Sequence, residues 1–473
     1  MTDQFDIAVL GAGPAGANAA LAAAKQGARV VMIDEQPHPG GQVWRAKSDA
    51  ILNALDTTES ISGNDLRMAI DASEIAKMEN SRLWQIERDS NGWALQILRD
   101  GRNHPVRAKA LVLATGAKET VQPIPGWTTP GVLGLAGATA MFKQNLQVPG
   151  QATIVSGTGP LVFFVASEIR RLGGAVSAVV TPNSRSDWAR ALPAMLTRPD
   201  LLARGAVWIA DLILARVPIY WRHATTRIKG DTGVSGATIQ SLDAQWAPDG
   251  RTVDIKADSI CLGNGLSPST EAAQLAGLPL DHNETLGGWI PNAADDGTTE
   301  IPGLFLCGDG AGIRGAAAAV LHGTRAGLAA AAFTQGTAPA PSPALRRRQN
   351  RAARFGMAMT ALSIPRPGLA KLTTPDTIIC RCESVTAARV KAEIIAGAES
   401  TMSVKSGLRA GMGPCGGKFC QSAMSQLIAS TKNIPISDIP PTTARPPLRP
   451  VPVDAIAGDF DYDDLPIPKP APL

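Results

Sequence analysis

The chain has 473 residues and a formal net charge of +4, a length that accommodates two or three domains with cores of their own. Such a small net charge, without a basic stripe interleaved with aromatic residues, argues against a nucleic-acid partner. The start shows no secretory signal and no run of about 18 apolar residues occurs, so we expect no transmembrane segment and a cytoplasmic location.

The first 34 residues predict a βαβ unit. "FDIAVL" (5–10) reads as a short apolar strand, residues 14–26 as an Ala-rich helix, and "ARVVMID" (28–34) as a second strand. The turn between the first strand and the helix is "GAGPAG", which predicts a dinucleotide site formed by Gly11, Gly13, Pro14, Ala15 and Gly16. Glycine at these positions allows a tight turn, the approach of a pyrophosphate, and close packing of helix on strand.

An acid follows at the place where this motif requires one. Asp34 ends the second strand and is placed to accept a hydrogen bond from a ribose hydroxyl, with Glu35 as the less favoured candidate. The helix N-terminus offers free N–H groups to the phosphates. This unit alone does not distinguish FAD from NAD.

Further strands and a second βαβ unit follow. Residues 82–100 alternate as in a β meander, and "ATIVSGTGP" begins a second unit at residue 152. That unit has Val162 in place of the third glycine and no acid after its second strand, so we favour an altered or empty pocket. Arg185 is the one candidate for contact with a 2′-phosphate.

Three further motifs carry a resemblance. They are "LVLATGA" with Ala114, Thr115 and Gly116, "GLFLCGDGAG" with Gly308 and Asp309, and "GGQ" with Gly40, Gly41 and Gln42. Together with the first glycine motif, they resemble the two-dinucleotide-binding flavoproteins of glutathione-reductase fold over about residues 4–335. The resemblance implies an α/β fold, bound FAD, and a role for Asp309 in bonding the flavin ribitol.

Residues for disulfide or acid–base chemistry are missing. Disulfide reductases of this fold carry a cysteine pair after the first βαβ unit, whereas residues 36–60 contain none. The five histidines form no recognisable pairing, and His322 is interpreted as structural. Cys261 and Cys307 lie in apolar strands and are expected to pack as small hydrophobes. We therefore predict no catalytic residue on this chain.

The other four cysteines lie near the C-terminus. Cys380 and Cys382 form C-x-C, and Cys415 and Cys420 form C-x4-C in a glycine-rich stretch. Four thiolates suit zinc or a [2Fe–2S] cluster, but zinc sites usually present C-x2–4-C in both halves. Free thiols are the third alternative. The pattern resembles the bacterioferritin-associated-ferredoxin-like (BFD-like) [2Fe–2S] domain, which implies that these cysteines bind the cluster.

We predict five segments. Residues 1–118 and 266–335 form a split FAD-binding domain, 119–265 a second NAD-binding-like domain, 336–375 a linker with an Arg-rich helix start, 376–432 the [2Fe–2S] domain, and 433–473 a Pro-rich tail lying on this chain or on a partner.

The order of these motifs resembles the A subunits of opine (octopine or nopaline) oxidases and the matching subunits of hydrogen cyanide synthase and dye-linked proline or hydroxyproline dehydrogenases. The resemblance implies a partner B subunit of the D-amino-acid-oxidase fold, which carries its own FAD and oxidises the opine. It also implies FMN at the subunit interface in several relatives, with a small third subunit left open. In relatives the first nucleotide site holds FAD, NAD or ATP, and the glycine motif suits all three.

The favoured hypothesis is thus an electron-transferring subunit of a heteromeric opine dehydrogenase. One alternative is the corresponding subunit of an enzyme acting on D-hydroxyproline, proline or another secondary amine. A second is an NAD(P)H-dependent flavin/[2Fe–2S] reductase, and a third is a scaffold whose nucleotide and zinc sites only support folding.

Overall fold

The computed structural model describes residues 3–339 and 342–457, and it has the α/β character that the sequence predicts. The strands are β1 (Asp3–Leu10), β2 (Val30–Ile33), β3 (Ala76–Met78), β4 (Arg82–Asp89), β5 (Gly92–Arg99), β6 (Arg102–Leu113), β7 (Ala117–Glu119), β8 (Val132–Gly134), β9 (Ala152–Gly157), β10 (Ala175–Thr181), β11 (Ile219–Trp221), β12 (His223–Lys229), β13 (Gly236–Leu242), β14 (Pro248–Lys256), β15 (Ser259–Gly263), β16 (Leu266–Pro268), β17 (Leu280–Asn283), β18 (Gly288–Pro291), β19 (Leu304–Leu306), β20 (Ile378–Cys380) and β21 (Val385–Thr386). The helices are α1 (Pro14–Ala24), α2 (Thr58–Asp71), α3 (Leu135–Asn145), α4 (Leu161–Arg171), α5 (Arg185–Met195), α6 (Pro199–Leu214), α7 (Glu271–Leu275), α8 (Ala316–Thr334), α9 (Pro343–Ala361), α10 (Ala387–Ile395), α11 (Thr401–Leu408), α12 (Cys420–Lys432) and α13 (Val453–Ala457).

The first sheet has the order β3-β2-β1-β6-β5-β4, and β19 pairs with β6. Strands β1, β2, β3, β6 and β19 are parallel to one another, whereas β4, β5 and β6 form an antiparallel meander. Parallel strands covered on both faces are apolar throughout, and all four residues of β2 are buried. This sheet therefore contains the βαβ unit and the meander that the sequence predicts.

Helices α1 and α8 cover one face of this sheet and pack closely on each other. A Cβ on Gly323 would lie 2.0 Å from the carbonyl oxygen of Ala15, and one on Gly327 would lie 2.1 Å from that of Ala19. Only very small side chains permit this close approach, which explains why both helices are rich in Ala and Gly. Within the described residues, α8 is the one helix long and apolar enough to span a membrane, and more than half of it is buried inside the protein.

The second sheet is parallel, in the order β11-β10-β9-β15-β8, and the antiparallel sheet β12-β13-β14 lies beside it. The chain enters this region along β7 and leaves along β16, and these two strands pair with each other. They lie at the predicted borders near residues 118 and 266. Helices α3 to α6 belong to this part of the chain.

The segment predicted as a linker, 336–375, contains substantial structure, apart from residues 340–341, which lie outside the described residues. Residues Pro343–Ala361 form α9, which packs against α8 and α5, and a 3₁₀ turn follows at Pro367–Leu372. The linker prediction is therefore wrong for Pro343–Ala361, and the Arg-rich cluster at which we expected a helix start lies inside α9. The helix begins earlier, at Pro343, because proline is well tolerated in the first turn of a helix.

The C-terminal module has a core of its own. The hairpin β20–β21 and helices α10, α11 and α12 enclose a buried cluster that includes Val390, Val404, Ile428 and Ile439. Beyond α12 the chain turns back onto the first domain, where Leu448 packs among core residues. Residues 433–457 of the predicted Pro-rich tail thus lie on this chain, and residues 458–473 of it fall outside the described residues.

Candidate functional site

The first glycine motif forms the turn between β1 and α1. Gly11 has φ +101°, and a Cβ there would lie 2.4 Å from the carbonyl oxygen of Ala114. A Cβ on Gly16 would lie 1.8 Å from the carbonyl oxygen of Gly11. Gly13 is the extended N-cap of α1 and Pro14 is its first residue. The turn therefore needs glycine for close packing and leaves the helix N-terminus available to an anion.

The two acids after β2 lie in different surroundings. Asp34 accepts hydrogen bonds from the backbone N–H of Ala12 (2.5 Å) and of Gln36 (2.7 Å), so its carboxylate braces the glycine turn. Burial raises the pKa of Asp34 above its usual value, against the effect of these two N–H groups. Glu35, the less favoured candidate, lines a cavity of about 180 Å³ together with Asn80, Arg82, Leu98, Asp100 and Gly101.

The "GGQ" loop folds over the glycine turn and introduces an arginine that the sequence did not single out. Gly40 donates its N–H to the carbonyl oxygen of Ala12 (2.8 Å), and a Cβ on Gly41 would lie 2.8 Å from Cα of Gly13. Gln42 accepts a hydrogen bond from Arg45 (2.6 Å). The Nε of Arg45 is buried and has no partner in the described structure, which makes it a free donor beside the glycine turn.

The other two motifs meet the glycine turn at the carboxyl edge of the first sheet. Thr115 donates its hydroxyl to the carbonyl oxygen of Ser269 (2.7 Å), and Gly116 follows with φ +67°. A Cβ on Gly308 would lie 2.6 Å from Cβ of Ala15. Asp309 lies in the 3₁₀ turn just before α8. The structure thus brings Gly41, Ala114 and Gly308 against the glycine turn, and the role of the predicted residues in holding a nucleotide stays a prediction.

Asp309 accepts hydrogen bonds from the backbone N–H groups of Arg314 (2.9 Å) and Gly315 (3.0 Å). Burial raises the pKa of its carboxyl group, and the two N–H groups and the charge of Arg314 act against that rise. These bonds fix the loop that leads into α8.

The four C-terminal cysteines converge as two pairs. The Sγ atoms of Cys382 and Cys415 are 3.7 Å apart, and the thiol of Cys420 interacts with that of Cys380. In the part of the chain that the structure describes, no three His, Cys, Asp or Glu side chains are placed around one point to hold a single metal ion. Two pairs of thiols match a two-iron cluster better than one zinc ion.

The glycine-rich stretch around these cysteines allows close packing and supplies backbone N–H groups that stabilise a thiolate. A Cβ on Gly413 would lie 2.2 Å from Cβ of Cys382, so only glycine fits there. Burial would raise the pKa of Cys415, but the backbone N–H groups of Gly417, Phe419 and Lys418 and the thiol of Cys382 lower it below its usual value. Such N–H groups favour a thiolate and are of the kind that bond cluster sulfurs.

A cation clamp joins the cysteine module to the second domain. The guanidinium of Arg381 lies 4.9 Å from the ring centre of Trp127 and 4.6 Å from that of Phe419. The indole Nε1 of Trp127 also donates to the carbonyl oxygen of Ile378 (2.6 Å). Trp127 and the cysteine module are about 250 positions apart in sequence, so no local motif could have indicated these contacts.

We expect Arg381→Ala to lower the free energy of unfolding by about 1–2 kcal/mol, because each exposed cation–π contact contributes about 0.5–1 kcal/mol. Chemical denaturation followed by the cluster's visible absorbance measures this change. Arg389→Ala, which removes an exposed arginine from α10, is the matched control and should change stability by less than about 0.5 kcal/mol. Equal losses in the two variants would contradict the clamp.

Sequence comparisons agree with this geometry. Residues 5–336 match the family "Pyridine nucleotide-disulphide oxidoreductase", and residues 378–430 match the "BFD-like [2Fe-2S] binding domain". The opine oxidase A subunit from Rhizobium meliloti (strain 1021) is 32% identical over 96% of this chain and 98% of its own length. The chain belongs to the opine oxidase A-subunit family.

Other relatives of this family are also similar. The hydrogen cyanide synthase subunit HcnB of Pseudomonas aeruginosa is 31% identical over 87% of this chain and 90% of its own length. Among solved structures, L-proline dehydrogenase from P. horikoshii superposes with a TM-score of 0.70 at 20% identity, covering 95% of this chain and 79% of that one. Thioredoxin reductase from T. acidophilum gives a TM-score of 0.52 at 18% identity, covering 70% and 99%. The two structures support the fold.

Two cofactors follow from this membership, FAD and a [2Fe–2S] cluster. The residues present fit both of them. The glycine turn presents the N-terminus of α1, and the buried unpaired Nε of Arg45 supplies a donor for a phosphate. The paired thiols and the N–H groups around Cys415 suit the cluster. Membership in the opine oxidase A-subunit family also makes this chain a component of a multi-subunit oxidoreductase.

The second nucleotide turn of this family member is filled by its own chain. Gly159 donates its N–H to Asn183 (3.1 Å), which in turn donates to the carbonyl oxygen of Leu362 (2.7 Å). A Cβ on Gly159 would lie 2.8 Å from Oγ of Ser363, and one on Gly265 would lie 2.6 Å from Cβ of the same serine. The segment after α9 thus lies over the turn where a pyrophosphate would bind.

One ion pair and two further contacts of Arg366 hold this segment in place. Arg366 bonds Asp187 (2.8 Å), its guanidinium lies 4.9 Å from the ring centre of Trp246, and it donates to the carbonyl oxygen of Ala244 (2.9 Å). Arg185, the candidate for a 2′-phosphate contact, lies 6.0 Å from the ring centre of Trp221. A cavity of about 410 Å³ remains between α5 and the end of α9.

His322 is a buried residue of α8. It is 4% exposed and its Nε2 has no partner in the described structure. Burial, together with the charges of Arg314 and Arg325, lowers its pKa to about 4. Cys261 and Cys307 are fully buried, and burial raises the pKa of both thiols, that of Cys307 to about 12. None of these three side chains belongs to the cysteine module.

Because His322 has a pKa of about 4 in the folded chain and about 6.5 when unfolded, the unfolded chain binds more protons between these values. We expect stability to fall by up to about 3 kcal/mol as the pH decreases from 7 to 4. Chemical denaturation at pH 7 and at about pH 4.5 should show a smaller fall in His322→Gln. The exposed-site control His104→Gln should match the wild type, and an unchanged fall in His322→Gln would contradict the assignment.

Proposed function

We propose that this chain is the electron-transferring subunit of a heteromeric flavin/[2Fe–2S] dehydrogenase that oxidatively cleaves opines such as octopine or nopaline to arginine and a 2-oxo acid. The opine is oxidised on a partner B subunit of the D-amino-acid-oxidase fold, which carries its own FAD. There the CH–NH bond loses two electrons and two protons, and water then hydrolyses the imine. The similarity to the A subunits of opine oxidases supports this substrate class.

The observation that carries the proposal is the filled second nucleotide turn. In disulfide reductases of this fold, NAD(P)H supplies electrons from that turn, whereas here Ser363 lies against Gly159 and Gly265. The electrons of this chain therefore come from a partner rather than from NAD(P)H. This argues against the alternative of an NAD(P)H-dependent reductase.

The cysteine module lies where it can take over those electrons. Lys418, between Cys415 and Cys420, is half-buried and lies near Glu35, Glu271 and Lys118 of the first domain. Residues 415–420, which we call the cluster loop, are thus docked on the nucleotide-binding domain. When bound, FAD exchanges electrons in pairs and the cluster carries them singly, which suits transfer to a one-electron acceptor.

The roles of individual residues are part of this proposal. The turn residues, with Gly41, Gln42 and Thr115, hold the FAD pyrophosphate at the N-terminus of α1. Asp34 positions the glycine turn and accepts a hydrogen bond from a ribose hydroxyl, with Glu35 as the less favoured acceptor, and Asp309 bonds the flavin ribitol. Arg45 adds a phosphate contact. The cluster ligands are Cys380, Cys382, Cys415 and Cys420.

Further elements of the complex are proposed from the resemblance alone. FMN lies at the interface between this chain and its B-type partner, and a small third subunit is a further candidate component. The location is cytoplasmic. The alternative substrates D-hydroxyproline and proline use the same electron path, and the fold shared with L-proline dehydrogenase is the observation that keeps them in consideration.

The test starts from the tagged chain purified from its own host with whatever it binds. Released nucleotides are identified and quantified by chromatography after denaturation, and dye reduction is measured with octopine, nopaline, hydroxyproline and proline. We expect FAD on this chain, additional FMN in the complex, and turnover of an opine only when the partner is present. NADH should not bleach the flavin.

Other results would overturn specific parts. Fast bleaching of the flavin by NADH or NADPH would replace the proposal by the reductase alternative. Turnover of hydroxyproline without turnover of any opine would change the substrate class. Zinc instead of iron in protein purified without oxygen would favour the scaffold alternative.

A further inference from the structure

The segment after α12 ties the cysteine module to the first domain. We call residues 439–449 the C-terminal strap. It starts at Ile439, which is fully buried in the core of the cysteine module. Ala444 then donates its N–H to Gln274 (3.2 Å), and Leu448 donates its N–H to the carbonyl oxygen of Trp84 (3.0 Å). The strap therefore spans two domains that are distant in sequence.

Arg449 ends the strap between the cluster loop and the nucleotide site. Its Nε lies 3.9 Å from Oε1 of Glu35. Its NH1 lies 3.9 Å from the point that a Cβ would occupy if Gly416 carried a side chain. Gly416 directly follows Cys415 and has φ +63°. The side chain of Arg449 is only 21% exposed, so its charge is poorly screened by water.

The charges around Arg449 come from three parts of the chain. Lys418 lies on the cluster loop, and Glu271, bonded to Lys118 (2.8 Å), lies on the first domain. Arg449 lies close enough to affect both Lys418 and Glu271. Glu35 directly follows Asp34 of the nucleotide motif, so the guanidinium of Arg449 lies between the end of β2 and the loop that carries Cys415.

We propose that Arg449 is a positioning residue for the [2Fe–2S] cluster, which holds the Cys415 loop against Glu35 and raises the reduction potential of the cluster by its fixed positive charge. Reduction adds negative charge, so a nearby cation stabilises the reduced cluster. The negative charge of Glu35 lowers the reduction potential of the cluster. This inference rests on the proposed ligation of the cluster by the four cysteines.

The experiment measures the midpoint potential of the cluster by a redox titration followed by electron paramagnetic resonance, in the complex purified from its host. We expect Arg449→Gln to shift the potential to a more negative value and Arg449→Lys to shift it less. Glu35→Gln should shift it to a more positive value. Shifts of opposite sign in Arg449→Gln and Glu35→Gln would indicate a charge effect, because general loosening of the loop should shift the potential in the same direction in both variants.

Lys432→Gln is the control, since it removes a positive charge at the far end of α12, about 18 Å along the helix from Cys420. It should leave the potential unchanged. An Arg449→Gln shift no larger than that of the control, or shifts of equal sign in Arg449→Gln and Glu35→Gln, would overturn the proposal. If the Arg449→Gln chain loses its iron, the Glu35→Gln variant serves as the test: a more positive potential supports the proposal, and a more negative or unchanged potential overturns it. Iron bound by a Cys415→Ser chain would instead count against the ligand assignment.

Discussion

Replacing Cys415 by serine should remove the [2Fe–2S] cluster. We expect the iron content to fall from about two atoms per chain to nearly zero, because a serine oxygen is a poor substitute for a soft thiolate ligand. The visible absorbance and the resonance signal of the reduced cluster should disappear with the iron. Elemental analysis of protein purified without oxygen measures the change directly.

The chain offers a matched control for this substitution. Cys307 is fully buried directly after β19 and lies outside the cysteine module, so Cys307→Ala should keep its iron and lose only about 1 kcal/mol of stability to the small cavity. The assignment of the ligands fails if Cys415→Ser retains a full cluster. It also fails if Cys307→Ala loses iron to the same extent.

The second large effect is expected at the glycine turn. In Gly16→Ala the new Cβ would lie 1.8 Å from the carbonyl oxygen of Gly11, so α1 must move away from β1. We expect a loss of about 2–3 kcal/mol of stability, in the range found for overpacked cores, and a strongly reduced content of FAD. Chemical denaturation and chromatography of the released flavin measure the two effects.

Gly205→Ala on α6 is the opposite case. No atom lies within 4 Å of a Cβ at that position, and alanine is a better helix former than glycine, so stability should rise by up to about 1 kcal/mol with the FAD content unchanged. A Gly16→Ala chain with normal stability and full FAD would show that the turn does not hold the nucleotide.

The sequence was sufficient for the parts of the fold that depend on local patterns. The apolar runs of β1, β2, β9 and β10, the alternation of β4 and β5 and the Ala-rich α8 each follow from periodicity and from the turns beside them. For α9 the Arg-rich cluster indicated a helix start, but Pro and Ala dominate the stretch before it and obscured the residue at which the helix begins. Its packing depends on Gly356, where a Cβ would lie 1.7 Å from the carbonyl oxygen of Arg314, a contact that no pattern within α9 indicates.

The residues of the candidate site also fall into two groups, those that a local motif predicts and those that no motif predicts. The residues that belong to motifs, such as Gly11 and Cys415, could be named from spacing, because the motif itself specifies the geometry. Arg45, Arg381 and Arg449 could not. Each of them has at least one contact with a residue about a hundred or more positions away, and a lone arginine carries no spacing that reveals such a contact.

The filled turn at Gly159 has a pharmacological consequence. At the turn where NAD(P)H would bind, the hydrogen bond from Asn183 to Leu362 and the ion pair between Arg366 and Asp187 already hold a protein segment in place. A compound that imitates NADPH would have to displace this folded segment before it could bind. An inhibitor of this chain would therefore have to target the first nucleotide site or the docked cluster loop.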